Sequence, residues 1–396
     1  MLLIKADTIS CRYSVIQGEF SMQFLNFLIK PASGLCNLRC RYCFYEDETN
    51  NRSEKNRGIM KEETMNLLIA RAFQEINPDG RISFAFQGGE PTIAGLPFFR
   101  GFVDRVKSLQ TPRVSVAYAI QTNGTLLDAE WAAFFRENRF LVGISMDGDK
   151  VLHNLYRKDP AGNDTWNRVM KSLKLLQKNN VDVNALCVVT KQTARHPEKI
   201  YRELKSLGIG YLQFIACLDP INEPKGKRMW SLSPESYGSF LCKLFDCWYN
   251  DWEKGQYHSI RLFDDYIHIL LGDGASTCST CGHCGSYFLV EADGSVYPCD
   301  FFALDEWYMG NLKTHSLSEL ASSETACRFL AESASKPSEC KGCRYSFVCN
   351  GGCRNDWIVF PSGMQNYHCA AFRMLLDYAM PRMQMIAHAE RRQRGW

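Results

Sequence analysis

The sequence has no marked excess of charge of either sign. It contains 46 Lys and Arg residues against 43 Asp and Glu residues, which gives a formal net charge of +3. It also contains no basic run with interleaved aromatic residues. Proteins that bind nucleic acid by bulk electrostatics carry such patches, so we expect no nucleic-acid partner.

Long apolar stretches, internal repeats and low-complexity segments are also lacking. No apolar run approaches the ~18 residues that a membrane helix needs, so we expect no membrane association. The first residues, "MLLIKADTIS", have too few apolar positions for a secretory signal, because Lys5 and Asp7 follow at once. These features together predict a cytoplasmic location.

Cysteine, in contrast, is abundant, with 18 residues. Because the cytoplasm keeps thiols reduced, metal or iron–sulfur ligation explains this number better than disulfides do. One group occupies "CNLRCRYC", at Cys36, Cys40 and Cys43, and a dense group extends from Cys278 to Cys369. The cysteines between these groups are isolated and stand in apolar contexts.

Short apolar segments alternate with amphipathic ones before the second cysteine group. This alternation is typical of βα units that build a parallel sheet. We predict strands at 24–30, 82–87, 114–121, 140–145, 181–189 and 211–216. We predict helices near 61–77, 97–109, 128–138, 165–179, 196–207 and 234–253. Six units fall short of a closed eight-fold barrel, so the predicted fold class is α/β with a partial (β/α)6 TIM-like barrel.

The change in cysteine density predicts a domain boundary at "EKGQYHS", which interrupts a helical pattern. We place the partial barrel at 22–255, a cysteine-rich domain at 256–385 and a C-terminal tail at 386–396. Residues 1–21 would form an N-terminal extension. It is either a disordered arm or the product of a misassigned start, because Met22 is an alternative start.

The first cysteine group leaves one ligand position open. Zinc sites and ordinary electron-transfer iron–sulfur clusters take four protein ligands. Three cysteines on one loop after a strand would leave one iron of a 4Fe–4S cluster free for a reacting ligand. The alternative is that Cys36, Cys40 and Cys43 are three unrelated buried thiols.

This loop resembles the C-x3-C-x-aromatic-C loop of radical S-adenosylmethionine enzymes. The resemblance implies that its three cysteines hold a 4Fe–4S cluster and that the open iron binds S-adenosylmethionine, which one electron cleaves to a 5′-deoxyadenosyl radical. In "QGGEP", two glycines let the backbone approach a ligand closely. By the family match, the cofactor contacts would be Tyr42, Gly89, Ser145, Arg157 and Leu218. Taken alone, "QGGEP" could be a plain turn, a serine such as Ser145 is usually a cap, and an arginine such as Arg157 is usually a surface group.

The segment "CKGCRYSFVCNGGC" resembles the SPASM domain of peptide-modifying radical enzymes, which holds two further 4Fe–4S clusters. The resemblance implies two interleaved ligand sets. The first auxiliary cluster would take Cys278, Cys284, Cys299 and Cys353, and the second would take Cys340, Cys343, Cys349 and Cys369. From spacing alone, two structural zinc sites are the alternative. Cys281 is left over, either as a free thiol or as a ligand in place of a neighbour.

Within this superfamily the chain resembles anaerobic sulfatase-maturating enzymes, through "FAFQGGEPT", "LVGISMDG", "DGSVYPCDF" and other segments between about Met22 and Arg382. The resemblance implies oxidation of a cysteine or serine in a sulfatase polypeptide to Cα-formylglycine. Hydrogen abstraction at Cβ, deprotonation and electron transfer to the auxiliary clusters would make up the reaction. Asp300 matches the proposed base. Further candidates are Tyr45, Gln87, Asp147 and His153.

The resemblance also implies two partners. One is an unfolded or nascent sulfatase with a C/S-x-P-x-R segment, and the other is a reduced flavodoxin- or ferredoxin-type electron donor. A maturase that crosslinks or epimerises a ribosomal peptide would share every cluster, although residues 1–21 are too few for the precursor-binding domain that such enzymes often carry. A zinc-stabilised binding module is the non-enzyme alternative. We expect "RNDWIVFPSGMQNYH", before Cys369, to be a loop that shapes partner choice.

Overall fold

The computed structural model describes residues 22–285, 287–361 and 363–394. The predicted N-terminal extension at 1–21 lies outside the described residues. All bounds and contacts below refer to the described part of the chain.

Most strands of the described residues belong to one sheet. They are β1 (Met22–Ile29), β2 (Ile76–Phe86), β3 (Ser115–Thr122), β4 (Leu141–Ser145), β5 (Asp182–Val189), β6 (Tyr211–Ala216), β7 (Ser259–Ile260), β8 (Phe288–Val290), β9 (Ser295–Tyr297) and β10 (Gly310–Asn311). The order in the sheet is β10-β9-β8-β1-β2-β3-β4-β5-β6-β7. Strands β1 to β7 are parallel neighbours in chain order. This arrangement confirms the predicted α/β class and its six βα units.

Helices connect the strands close to the predicted positions. In the barrel they are α1 (Phe44–Asn50), α2 (Glu62–Glu75), α3 (Leu96–Leu109), α4 (Ala129–Glu137), α5 (Lys150–Tyr156), α6 (Trp166–Lys178), α7 (Pro197–Ser206) and α8 (Pro234–Glu253). They are followed by α9 (Arg261–Leu271), α10 (Cys278–Cys281), α11 (Leu317–Ala321), α12 (Glu324–Ala334), α13 (Ser346–Cys349) and α14 (Cys369–Arg394). Side-chain caps fix several starts: Asp128 accepts from Trp131 N, and Ser233 accepts from Ser236 N. Within the described ranges, no helix combines the length and apolarity needed to cross a membrane.

Strand β2 begins earlier than the sequence pattern predicts. It starts at Ile76, where the prediction placed the end of a helix, and Ile76 pairs with Met22 at the start of β1. The register between the two strands shifts after this pair, before Phe24. The polar segment 77–80, which by itself is typical of a turn, lies in this irregular part of the pairing and has no Cα partner in β1.

An aromatic core holds the first strands in place. Phe84 of β2 lies with its ring centroid 5.0 Å from that of Phe102 on α3, and Phe86 lies 4.9 Å from Phe99. All four side chains are at most 1% exposed. Phe27 of β1 stacks on Phe84 at 5.5 Å, so both strands are anchored and the residues directly after them have defined positions at the carboxyl end of the sheet.

The cysteine-rich domain continues the same sheet. Strand β8 lies parallel to β1, with Phe27 opposite Phe288, and β9 and β10 follow it in antiparallel orientation. The predicted boundary at 255 falls in the turn after α8. Strand β7, beyond that boundary, still pairs with β6 through Tyr211 and Ser259.

The last helix packs back onto the barrel. A Cβ at Gly238 on α8 would lie 2.8 Å from the sulfur of Met374 on α14, so glycine allows the two helices to approach closely. Arg382 adds an ion pair to Asp246, at 2.8 Å. The predicted tail at 386–396 begins inside this helix, where Ile386 is buried.

The prediction of a loop between Cys353 and Cys369 is wrong for most of that segment. Residues there form an antiparallel hairpin of β11 (Trp357–Phe360) and β12 (Gly363–Asn366), in which Val359 is opposite Met364. The run "WIVF" consists of aromatic and β-branched residues, which favour strands. The indole N–H of Trp357 donates to the carbonyl of Gly351 at 2.9 Å and ties the hairpin to the cysteine segment.

Candidate active site

The three-cysteine loop follows β1 at the carboxyl end of the sheet, where parallel barrels carry their functional groups. Cys43 is the residue before α1, and its N–H donates to the carbonyl of Cys40 at 3.0 Å. A backbone N–H group also donates to the first sulfur, since Leu38 N lies 3.4 Å from Cys36 Sγ. The loop therefore gathers its sulfurs at the start of a helix.

The three sulfurs are free thiols in a poorly solvated place. Burial, with a smaller contribution from the charge of Cys43, raises the pKa of Cys36 to about 11 and that of Cys40 to about 12. Thiolates so placed are costly unless a positive group offsets their charge. Three such sulfurs fit an iron–sulfur cluster, because its iron atoms supply that charge.

The "QGGEP" segment after β2 lies directly on this loop. Gly89 has φ +29°, and a Cβ there would lie 2.2 Å from the carbonyl oxygen of Leu35. Glu90 N donates to the same carbonyl at 2.7 Å. A side chain at 89 has no room, so both the glycine and its unusual backbone follow from close packing of the two loops.

Glu90 joins the loops after β2 and β3. Its buried carboxylate accepts hydrogen bonds from Thr122 Oγ1 at 2.8 Å and from Asn123 N at 2.7 Å. Asn123 in turn donates to Asn37 of the cysteine loop, at 2.8 Å. Sequence reasoning missed this role. The signal available was an acidic residue immediately after the glycine pair.

Tyr42 and Arg157, both predicted cofactor contacts, meet at Asp147. Arg157 donates to both carboxylate oxygens of Asp147, at 2.8 and 3.1 Å, and the hydroxyl of Tyr42 donates to one of them. Val188 N donates to the other at 3.0 Å. Because both oxygens of Asp147 are occupied, this carboxylate holds its neighbours rather than standing open to a ligand.

The other predicted residues differ in their surroundings. Ser145, at the end of β4, accepts a hydrogen bond from Gln121 at 3.1 Å. Leu218 is half-buried in the segment after β6. His153 is fully buried, 3.1 Å from Thr165 Oγ1, and burial lowers its pKa to about 3. It is therefore a neutral histidine of the core.

Asp300 is buried, with 6% of its surface exposed. It shares a polar site with Tyr45 and Gln87, two of the further candidates. Its Oδ2 accepts a hydrogen bond from the Tyr45 hydroxyl at 2.6 Å and from Gln87 at 3.3 Å. Its Oδ1 accepts none from the described residues. Burial raises the pKa of Asp300, and the nearby Lys30 ammonium opposes that rise.

A buried ion cluster that sequence reasoning missed lies beside Asp300. The ammonium nitrogen of Lys30 lies 2.7 Å from Glu48 and 3.7 Å from Glu291. Arg52 contacts Glu291 at 2.6 Å. The available signal was a lysine at the carboxyl end of the first predicted strand, a position that favours function over stability.

The cysteine set predicted for the first auxiliary cluster borders Asp300 through Cys299. Burial raises the pKa of Cys353, and Asp356 and the thiolates of Cys299 and Cys278 raise it further. The Tyr287 hydroxyl donates to Cys299 Sγ at 3.2 Å and accepts from the Asp300 N–H at 2.9 Å. The charge of Cys278 raises the pKa of Cys284, as it does that of Cys281, so both thiols lie near this set.

The second auxiliary set shares one cavity. Its lining includes all four predicted sulfurs: Cys340, Cys343, Cys349 and Cys369. In the described part of the chain, no three His, Cys, Asp or Glu side chains are close enough to hold a single metal ion. Cys281 stands apart from this cavity, and its thiol donates to the Ala275 carbonyl at 3.8 Å.

Comparison with known proteins agrees with this geometry. Residues 31–204 match the model of the radical SAM superfamily, and residues 274–344 match the SPASM model, an iron–sulfur cluster-binding domain. The chain is 44% identical to a cysteine-type anaerobic sulfatase-maturating enzyme of Clostridium novyi, over 92% of this chain and 98% of that protein. The chain belongs to the anaerobic sulfatase-maturating enzymes.

Comparisons with a second relative and with solved structures add to this result. The chain is 32% identical to a serine-type anaerobic sulfatase-maturating enzyme of Bacteroides thetaiotaomicron, over 91% of both chains. It matches the solved structure of native anSMEcpe with bound AdoMet with a TM-score of 0.87 and 44% identity, covering 92% of this chain and 99% of that one. The structure of SuiB from Streptococcus suis, at 16% identity and a TM-score of 0.58, shares the fold alone.

Membership of the anaerobic sulfatase-maturating enzymes confirms the predicted cofactors. A radical SAM domain followed by a SPASM domain implies 4Fe–4S clusters and S-adenosylmethionine. The sequence contains the cysteines that the prediction divides among three such clusters. This anaerobic sulfatase-maturating enzyme is thus a radical S-adenosylmethionine oxidoreductase, as its sequence predicts.

Proposed function

We propose that this enzyme oxidises the cysteine of a C-x-P-x-R segment in an unfolded or nascent sulfatase polypeptide to Cα-formylglycine. The observation that carries the proposal is the 2.6 Å hydrogen bond between Tyr45 and Asp300. Tyr45 stands two residues after Cys43, and Asp300 follows Cys299 directly. One hydrogen bond therefore joins the radical-generating loop to an auxiliary cysteine set, with a carboxylate between them.

We assign the cysteine ligands as three sets. The radical cluster takes Cys36, Cys40 and Cys43, the first auxiliary cluster takes Cys278, Cys284, Cys299 and Cys353, and the second takes Cys340, Cys343, Cys349 and Cys369. When bound, S-adenosylmethionine and the first cluster supply the radical that removes a hydrogen atom from the substrate Cβ, and the auxiliary clusters supply an acceptor for the departing electron.

We assign S-adenosylmethionine contacts to Tyr42, Gly89, Ser145, Arg157 and Leu218. The positions of Gly89, Tyr42 and Arg157 beside the cysteine loop support this assignment. Gly89 brings bare backbone against the cysteine loop, with a Cβ position only 2.2 Å from Leu35 O. The buried Tyr42–Asp147–Arg157 group borders the same loop, since the charge of Arg157 lowers the pKa of Cys40 against the larger effect of burial.

Asp300 takes the proton from the substrate thiol. Its Oδ2 is occupied by Tyr45 and Gln87, which leaves Oδ1 as the accepting oxygen. Loss of one hydrogen atom, one proton and one electron from the Cβ–SH unit leaves a C=S double bond. Hydrolysis of that bond gives the aldehyde and hydrogen sulfide, so the atoms and electrons balance.

We propose a reduced flavodoxin- or ferredoxin-type electron donor, because cleavage of S-adenosylmethionine consumes an electron that the side chains of this protein do not generate. A reducing, cytoplasmic location accords with that donor and with the many free thiols. We keep 22–255 and 256–385 as the limits of the two domains, on the basis of the turn that follows α8.

Two peptides that differ only in Cys or Ser at the target position test the choice of substrate. We expect the anaerobic enzyme to convert the Cys peptide at least about tenfold faster, because a thiol with a pKa near 8.5 gives up its proton more readily than an alkyl hydroxyl. The higher identity to a cysteine-type than to a serine-type relative, 44% against 32%, supports this expectation. Mass spectrometry of the peptides measures the aldehyde. Faster conversion of the Ser peptide would contradict the cysteine-type assignment.

A further inference from the structure

We infer that Lys30 is a positioning residue of the oxidation site, whose ammonium group fixes the Asp300–Tyr45 pair in the place from which it meets the substrate. The inference rests on the proposed function, because it concerns the same site. The only sequence signal for Lys30 is its place at the carboxyl end of the first predicted strand, and that signal alone assigns no role to the side chain.

The burial of Lys30 is the first support. Its side chain is 2% exposed, and lysine is rarely buried without partners. The ammonium nitrogen lies 2.7 Å from Glu48, 3.7 Å from Glu291 and 3.8 Å from Asp300 Oδ1. Lys30 therefore links Asp300 to two carboxylates that belong to different parts of the chain.

Lys30 contacts both Asp300 and Tyr45. Its nitrogen lies 5.0 Å from the centre of the Tyr45 ring, over which a cation is attracted. The Tyr45 hydroxyl holds Asp300 Oδ2, whereas Lys30 attracts Oδ1. The hydrogen bonds to Oδ2 and the positive charge beside Oδ1 together favour one orientation of the carboxylate plane. Lys30 attracts Oδ1 at 3.8 Å without a hydrogen bond, so this oxygen stays able to accept a proton.

The aliphatic stem of Lys30 also shapes the neighbouring loop. Gly88 has φ +88°, and a Cβ there would lie 2.5 Å from Lys30 Cγ. Gly88 follows Gln87, which donates to Asp300. On the other side, Lys30 N donates to the carbonyl of Val290, directly before Glu291. Lys30 thus contacts every segment that carries a group of this site.

Arg52 offers a matched control. Its side chain is as buried as that of Lys30, and it contacts Glu291 at 2.6 Å and Glu48 at 3.6 Å. Within the described residues it makes no ion pair with Asp300. Loss of Arg52 therefore disturbs the same buried carboxylates without removing a partner of Asp300.

The test measures formylglycine formed per 5′-deoxyadenosine in parent and variant enzymes. Lys30→Met removes the charge and keeps the stem, and we expect the ratio to fall by about 10²-fold, as for a reacting group that is misplaced by about 1 Å. Radical formation should continue. Lys30→Arg should recover most of the ratio. Arg52→Met should lower thermal stability yet keep the parent ratio.

Two further variants keep the inference testable if Lys30→Met folds poorly. Lys30→Met/Glu48→Gln removes one buried charge of each sign, and we expect it to retain iron and to show the same low ratio. Adding Lys30→Met to Asp300→Asn should leave the ratio of the Asn variant unchanged, because a residue that acts through Asp300 has no effect without its carboxylate.

Two results would overturn the inference. One is an equal fall in formylglycine and 5′-deoxyadenosine for Lys30→Met, with the ratio unchanged. The other is a crystal structure of Lys30→Met in which Asp300 and Tyr45 keep their parent positions. A parent enzyme that makes 5′-deoxyadenosine but no formylglycine would instead refute the proposed function, and the crystal structure would then decide the role of Lys30 alone.

Discussion

Replacing Cys36, Cys40 and Cys43 together by Ala is expected to remove about four of about twelve irons per chain and to abolish formation of 5′-deoxyadenosine. All three sulfurs belong to one short loop before α1, so no neighbouring thiol of that loop can replace them. The auxiliary sets come from other segments and should keep their iron. Iron and sulfide analysis, together with chromatography of the nucleoside, measures both effects.

Cys281→Ala is the matched control for this experiment. Its thiol donates to the Ala275 carbonyl and lies outside the cavity of the second auxiliary set. We therefore expect parent iron content and parent activity. Loss of about four irons would make Cys281 a ligand of the first auxiliary cluster. Formation of 5′-deoxyadenosine by the triple variant would contradict the assignment of the first loop.

Asp300→Asn is expected to lower formylglycine formation by about 10²–10⁴-fold, the usual effect of losing a general base. The amide keeps the shape of the carboxyl group, whereas the charge and the proton-accepting oxygen are lost. Tyr45 and Gln87 still have an oxygen to contact, so we expect the cluster content to stay unchanged. 5′-Deoxyadenosine should form without matching product, and parallel assays of both compounds reveal this uncoupling.

The exposed Asp305, in the same segment, provides the control for this variant. It accepts a hydrogen bond from Ser53 N at 2.7 Å and contacts none of the groups around Asp300. Asp305→Asn should turn over like the parent enzyme. Normal turnover of Asp300→Asn would remove Asp300 from the mechanism. Loss of iron from that variant would assign it a structural role at the Cys299 turn.

Local sequence patterns predicted the barrel well, because its strands and helices are long enough to show their own periodicity. Strands β7 to β10 were not predicted, since they are only two or three residues long and depend on distant partners such as β1 and β6. The hairpin that begins at Trp357 was predicted as a loop. Its register depends on a pairing that no local pattern specifies.

The site also combines features that a local pattern shows with features that depend on distant partners. The cysteine groups are visible as spacings, although their division into ligand sets came from resemblance. Tyr45 and Asp300 lie 255 residues apart, and Lys30 meets Glu291 only because β8 pairs with β1. A buried lysine and an exposed one look alike in a sequence. Only the packing of distant segments shows that Lys30 lies among three carboxylates.

Anaerobic turnover of a peptide whose target cysteine carries deuterium at Cβ tests the central claim most directly. The account predicts one deuterium in 5′-deoxyadenosine for each formylglycine formed, because the hydrogen atom leaves Cβ directly for the radical. Mass spectrometry of nucleoside and peptide measures both. Formylglycine that appears together with unlabelled 5′-deoxyadenosine, or labelled nucleoside with no aldehyde in the peptide, would contradict the account.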